Sequence, residues 1–202
     1  MKKIFLSIFL AGLGITVSAQ KSIDQKVTEL MAKMTLEEKI GQLNQYNDDI
    51  TATGPITKDA DKAGQVRAGK LGSILNAIGA KNTKNWQDQA MQSRLKIPLL
   101  FGQDVIHGFR TTFPIPLGET ATWDMNLIEK SARIAATEAS AYGIHWTFAP
   151  MVDIGRDPRW GRVMEGAGED TYLGTLVGKA RVKGFQGNGL GNKDAVMACA
   201  KH

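Results

Sequence analysis

An α/β architecture, a parallel sheet covered by helices, is the fold class this sequence predicts, and three observations carry the prediction. Short apolar runs recur at 71–77 (LGSILNA), 97–105 (IPLLFGQDV), 144–153 (IHWTFAPMVD) and 195–202 (AVMACAKH). These runs are near-continuous rather than alternating, as strands buried on both faces are. Longer stretches with apolar residues at helical spacing lie between them, the rhythm of parallel strand–helix units. The composition, 43% hydrophobic and 22% charged over 202 residues, excludes a wholly disordered chain and allows one domain or slightly more.

The first nineteen residues read as a secretory signal peptide. Lys2 and Lys3 lead, an apolar segment runs from Ile4 to about Val17, and Val17 and Ala19 fit the small −3/−1 positions of a cleavage site. The segment is shorter than the roughly 20 residues a membrane span needs, so no stable anchor is expected after cleavage. Loss of Lys2 and Lys3 takes the formal charge from +5 to +3, and the remaining basic residues are scattered. That pattern excludes a nucleic-acid stripe. A single cysteine, Cys199, forbids an intrachain disulfide and is read as a core residue.

After the signal, Ile23, Val27, Leu30 and Met31, then Leu36, Ile40 and Leu43, give helical spacing, and Thr35 with Glu38 forms a capping box that starts a second helix. Residues 47–68 are polar and read as a loop. Residues 82–95 are helical. Residues 124–142 form a helix with Asp124 as N-cap and Gly143 beyond its end. A fourth helical stretch covers 171–186. The segment GNGLGN at 187–192 precedes a strand instead of opening a helix, so it is not a phosphate loop.

The chemistry gathers where the strands end. If the sheet curls into a barrel, the C-terminal ends of its strands share one mouth. The four strands read above end near Asn76, at Asp104, at Asp153 with its charged loop, and at Lys201–His202. In that loop, GRDPRWGRVMEGAGED at 155–170, acids and arginines surround Trp160. Carboxylate, guanidinium, ammonium and imidazole together suit the hydroxyls of a sugar. Asp104 with His107 has metal-pair spacing but lacks a third ligand, so His107 is read as bonding within its loop. His145 is read as a core residue beside Trp146. No metal or cofactor is expected.

Four motifs, in this order, carry a resemblance: MTLEEKIGQL, IPLLFGQDVIHGFRTTFPIPLGETATWD, FAPMVDIGRDPRWGRVMEGAGED and the final KH. Together they resemble glycoside hydrolase family 3, and within it the exported bacterial β-glucosidases. The resemblance implies that residues 20–202 are the first about four strand–helix units of a (β/α)8 TIM-like barrel. It implies that Asp104, Arg162, Lys201 and His202 bind the terminal non-reducing sugar of a β-glucoside or oligosaccharide. Arg156, Arg159, Glu165, Glu169 and Asp170 would brace the loop through ion pairs. The family retains anomeric configuration, with a nucleophilic Asp on a later strand and an acid/base from the next domain. No catalytic residue is therefore expected within these 202 residues. The chain is expected to be the N-terminal piece of a longer periplasmic or secreted enzyme, inactive alone and prone to aggregate through its open sheet edge. The alternatives are an N-acetyl-β-glucosaminidase or a β-xylosidase of the same family, or a non-catalytic carbohydrate-binding remnant.

Overall fold

The structure is a computed structural model that describes residues 21–48 and 61–202. The stretch 1–19, read as a signal peptide, and most of the loop assigned to 47–68 lie outside the described residues. No described helix is long and apolar enough to cross a membrane.

Helix α1 (Ile23–Lys33) belongs to a unit of its own, residues 1–34. Ser22 and Gln25 form a capping box at its start, and Ile23, Val27 and Met31 are exposed along one stripe.

The second unit spans Thr35–His202. Helix α2 (Leu36–Gly41) starts at the expected capping box, with Thr35 Oγ1 accepting from the Glu38 N–H and Glu38 accepting from the Thr35 N–H. Four strands follow: β1 (Gln45–Asn47), β2 (Ser73–Leu75), β3 (Leu100–Gln103) and β4 (Trp146–Thr147). They are parallel and ordered β1-β2-β3-β4 in space as in sequence. Helix α3 (Lys62–Arg67) lies between β1 and β2, α4 (Ala80–Ala90) between β2 and β3, and α5 (Pro116–Thr120) with α6 (Met125–Ala141) between β3 and β4. Helix α7 (Thr171–Gln186) follows β4. The strand–helix rhythm thus stands, with each strand shorter than its apolar run.

Three readings need correction. Residues 62–67, assigned to a loop, form helix α3, started by the Asp61 side chain accepting from the Gly64 N–H. The stretch 45–47, assigned to a helix end and a loop, is strand β1; its sequence QYN carries no apolar run, and Gln45 turns a polar side chain to Ser73 Oγ at 3.1 Å. The stretch 195–202 is not a regular strand but joins the sheet edge by two isolated parallel bridges, Trp146 with Met197 and Met151 with Lys201. From the first bridge to the second the chain advances five residues on one side and four on the other. That one-residue excess is a bulge, and it interrupts the ladder. Backbone bonds persist across it, from the Cys199 N–H to Ala149 O at 2.9 Å and from the Val152 N–H to Lys201 O at 2.7 Å.

The core lies between the sheet and α6. Ile74, Phe101, Val105, Ile144 and Val196 are buried, and α6 meets them with Ala132, Ala135, Ala136 and Ala139. Small side chains let the helix approach closely, and Gly184 of α7 continues this, since a Cβ there would sit 2.6 Å from that of Ala132. Truncating Phe101 to Ala in such a core costs about 3–5 kcal/mol. As expected, Asp124 caps α6, accepting from the N–H groups of Asn126 and Leu127 at 3.0 Å, and Gly143 follows the helix with φ +87°.

A charged rim as the candidate functional site

Three strand ends deliver four charged or polar groups to one rim, and the loop after Asp153 adds Arg162 and Glu165. Asp104 follows β3 directly, Asp153 ends the extension of β4, and Lys201 and His202 end the bridged segment beside it. Because the strands are parallel, their C-terminal ends share a side. Lys201 Nζ lies 3.2 Å from Asp104 Oδ1 and 3.9 Å from Glu165 Oε2. Arg162 forks onto Glu165, Nε to Oε1 and Nη2 to Oε2, both at 2.7 Å. Its Nη1 meets His202 Nε2 at 3.0 Å, and His202 Nδ1 meets Asp153 Oδ2 at 2.8 Å. The four residues expected to bind sugar, Asp104, Arg162, Lys201 and His202, therefore form one linked cluster.

The cluster has two layers. Asp104, Arg162 and His202 keep 44–46% of their side-chain surface open, whereas Lys201, Glu165 and Asp153 keep 13%, 17% and 29%. The outer three face solvent, and the inner three hold them. Hydrogen bonding to His202 keeps the Asp153 carboxyl below its ordinary range. The Arg162 fork does the same for Glu165, outweighing a partial burial that pushes the other way, and raises Arg162 in turn. A general acid needs the opposite perturbation. Both carboxylates therefore act as acceptors, and with Arg162 and Lys201 beside them the rim offers acceptors and donors together.

The carrier loop is short-circuited at its base by the Gly155 N–H bonding Gly168 O at 3.0 Å, and a 3-10 turn, Val163–Glu165, presents Glu165. Of the expected braces, Arg159 pairs with Asp157 at 2.6 Å and Glu165 pairs as described. Asp170 instead caps α7, accepting from the Leu173 N–H at 2.7 Å, and Arg156 and Glu169 are exposed. His107 bonds within its own loop, to Phe113 O at 3.2 Å. Asn76, expected at the rim, is buried, and its amide donates to Asn47 Oδ1 at 3.0 Å. Cys199 is half-buried. His145 is exposed rather than in the core: its ring stacks on Phe101 at 5.6 Å, and Nδ1 accepts the Phe101 N–H at 3.2 Å. Desolvation of that ring lowers its pKa.

Sequence reasoning passed over Arg181. It sits on the inner stripe of α7, buried with Glu119 of α5 at 2.5 Å, and donates to Ile106 O at 2.9 Å, two residues after Asp104. Glu138 of α6 holds the same loop from its far end, accepting the N–H groups of Arg110 and Thr111 at 2.8 Å. The legible signal was a lone arginine in the stripe Leu173, Val177, Arg181, Gly184. An apolar groove of about 700 Å³ along α7, lined by Val152, Ile154, Gly174, Gly178, Val182 and Ala200, involves none of the six rim residues.

The Glycosyl hydrolase family 3 N terminal domain matches residues 35–202. A periplasmic beta-glucosidase from Salmonella typhimurium is 43% identical over 89% of this chain and 23% of its own. A putative beta-xylosidase from Formosa agariphila is 32% identical over 92% of this chain and 27% of its own. The crystal structure of a beta-glucosidase from Listeria innocua in complex with isofagomine superposes with a TM-score of 0.80 at 41% identity, over 88% of this chain and 25% of that one. The chain thus spans about a quarter of the length of these proteins. With 35–202 matched from end to end and the same parallel α/β arrangement in the solved relative, the chain belongs to glycosyl hydrolase family 3.

Proposed function

We propose that these residues are the sugar-gripping N-terminal part of an exported retaining β-glucosidase, which removes terminal non-reducing β-D-glucosyl units. Asp104, Arg162, Lys201 and His202 bind the hydroxyls of the sugar in the −1 position. The nucleophile and the acid/base belong to parts of the enzyme outside these 202 residues. The single observation that carries the reading is the convergence of the four residues, with Lys201 on Asp104 at 3.2 Å and Arg162 on His202 at 3.0 Å. Relatives named beta-glucosidases with the greater identity support glucose over xylose, and the periplasmic relative together with the N-terminal segment 1–19 supports export and removal of that segment.

Desolvated hydrogen bonds from hydroxyls to a carboxylate contribute about 1.5–3 kcal/mol each, which makes Asp104 the dominant contact. The test is calorimetric titration of glucose, xylose and isofagomine into the 202-residue chain and its Asp104→Ala variant, beside an aryl β-glucoside assay. Binding that ranks isofagomine and glucose above xylose, is lost in Asp104→Ala, and comes without turnover is the expected result. Binding indifferent to Asp104, or hydrolysis by the chain alone, overturns it.

A further inference from the structure

We infer that Asp153 is a positioning residue of the rim, one that fixes the proton of His202 on Nδ1 and so leaves Nε2 to hold Arg162. The inference rests on the sugar-binding reading of Arg162 only for its functional consequence. Its physical content follows from donor and acceptor inventory.

A guanidinium has five N–H groups and no acceptor. Its Nη1 lies 3.0 Å from His202 Nε2, so that contact is a hydrogen bond only when Nε2 carries no proton. A neutral imidazole then has its proton on Nδ1, and the atom facing Nδ1 is Asp153 Oδ2 at 2.8 Å, an acceptor. One carboxylate therefore dictates what the opposite side of the ring offers. The charged groups around His202 are Asp153 on one side and Arg162 on the other, with Glu165 behind Arg162.

Arg162 is thereby held on three sides. Nε and one N–H of Nη2 go to Glu165, and one N–H of Nη1 goes to His202. By the same inventory, one N–H of Nη1 and one of Nη2 remain. Without Asp153, water at Nδ1 donates as readily as it accepts, and the tautomer is no longer set. In the Nε2–H form, imidazole and guanidinium turn hydrogens toward each other, and Arg162 loses its third anchor. Asp153 touches no sugar in this arrangement and acts through two other side chains.

The test reads the tautomer directly. The chain has three histidines, His107, His145 and His202, so ¹⁵N–¹H correlation spectra of the labelled chain resolve them, with His202→Gln identifying the signal. The Nδ1–H form is expected for His202, moving to the Nε2–H form or a mixture in Asp153→Ala and persisting in Arg162→Ala. Retention of Nδ1–H in Asp153→Ala, or its loss in Arg162→Ala, overturns the inference. Should Asp153→Ala fail to fold, the Arg162→Ala spectrum decides alone, since that change lies on an exposed loop. Glucose affinity in Asp153→Ala falls about tenfold, the loss of one charge-assisted hydrogen bond. A wild-type chain that shows the Nδ1–H form but binds no glucose sinks the sugar reading and leaves the tautomer assignment intact.

Discussion

Arg181 with Glu119 and Arg162 with Glu165 are both arginine–glutamate pairs within hydrogen-bond distance, at 2.5 and 2.7 Å. The first is closed. Its side chains are 4% and 5% exposed, and the spare reach of Arg181 goes to the Ile106 carbonyl under the Asp104 loop. The second is open on one side. Glu165 is mostly covered, Arg162 is not, and two of its N–H groups are unspent. The same chemistry thus makes a fastener in one place and, on the function proposed above, a receptor in the other. What separates them is enclosure: the Arg181 guanidinium is sealed in protein, its Nε without a partner, whereas that of Arg162 stays open to solvent. A fastener is expected to matter to stability and a receptor to binding.

The largest effect should come from breaking the fastener. Glu119→Ala leaves a buried guanidinium uncompensated and should cost about 3–5 kcal/mol, read as a fall in the urea midpoint. Replacing both partners, Arg181→Met with Glu119→Leu, should recover most of that loss. Equal damage in the double variant would show that the pair holds the Ile106 loop by more than its charge.

At the rim the signs reverse. Asp104→Ala should weaken glucose binding about a hundredfold, two charged hydrogen bonds lost from a half-open site, while the urea midpoint stays put. Glu165→Gln should weaken it about tenfold, because Arg162 keeps its neighbours but loses its charged fork. The same substitution has an acid signature. Glu165 has a folded pKa below its ordinary 4.5, so the unfolded chain binds its proton first. Its contribution to stability is complete above that ordinary value and is lost as pH falls through the lowered one. Denaturation measured from pH 6 down to pH 3 should therefore slope less steeply in Glu165→Gln than in the parent.

The smallest effect tests the other end of the comparison. Arg159 and Asp157 pair at 2.6 Å but lie on the outside of the loop, with Arg159 almost wholly exposed. Arg159→Ala should move neither the urea midpoint nor the glucose affinity. A change in affinity would mean that the outer pair shapes the loop after all.

Much of this division was visible before the structure. Local signals spoke clearly: Thr35 with Glu38, Asp124 and Gly143 each mark a helix end by chemistry within a few residues, and each sits where expected. The convergence of Asp104, Arg162, Lys201 and His202 was legible because strand ends in a parallel sheet share a side. What stayed hidden depends on partners far along the chain. The three polar residues of β1 form a strand only because Ser73–Leu75 is there to pair with. Helix α3 and the short α5 lie in stretches without helical periodicity. Arg181 drew no reading because its partner, Glu119, lies 62 positions earlier. The assignment of His145 to the core failed because its neighbours in sequence are apolar while in space the residue keeps an exposed side, its ring laid against Phe101.

Asp104 and Lys201 are 97 positions apart, and the segment that carries Lys201 joins the sheet edge through a bulged ladder of backbone bonds. During synthesis the carboxylate emerges from the ribosome long before its ammonium partner. Contacts of such long range form slowly. Among these residues the rim is thus complete only once the segment carrying Lys201 has docked, so ligand capture would report that docking.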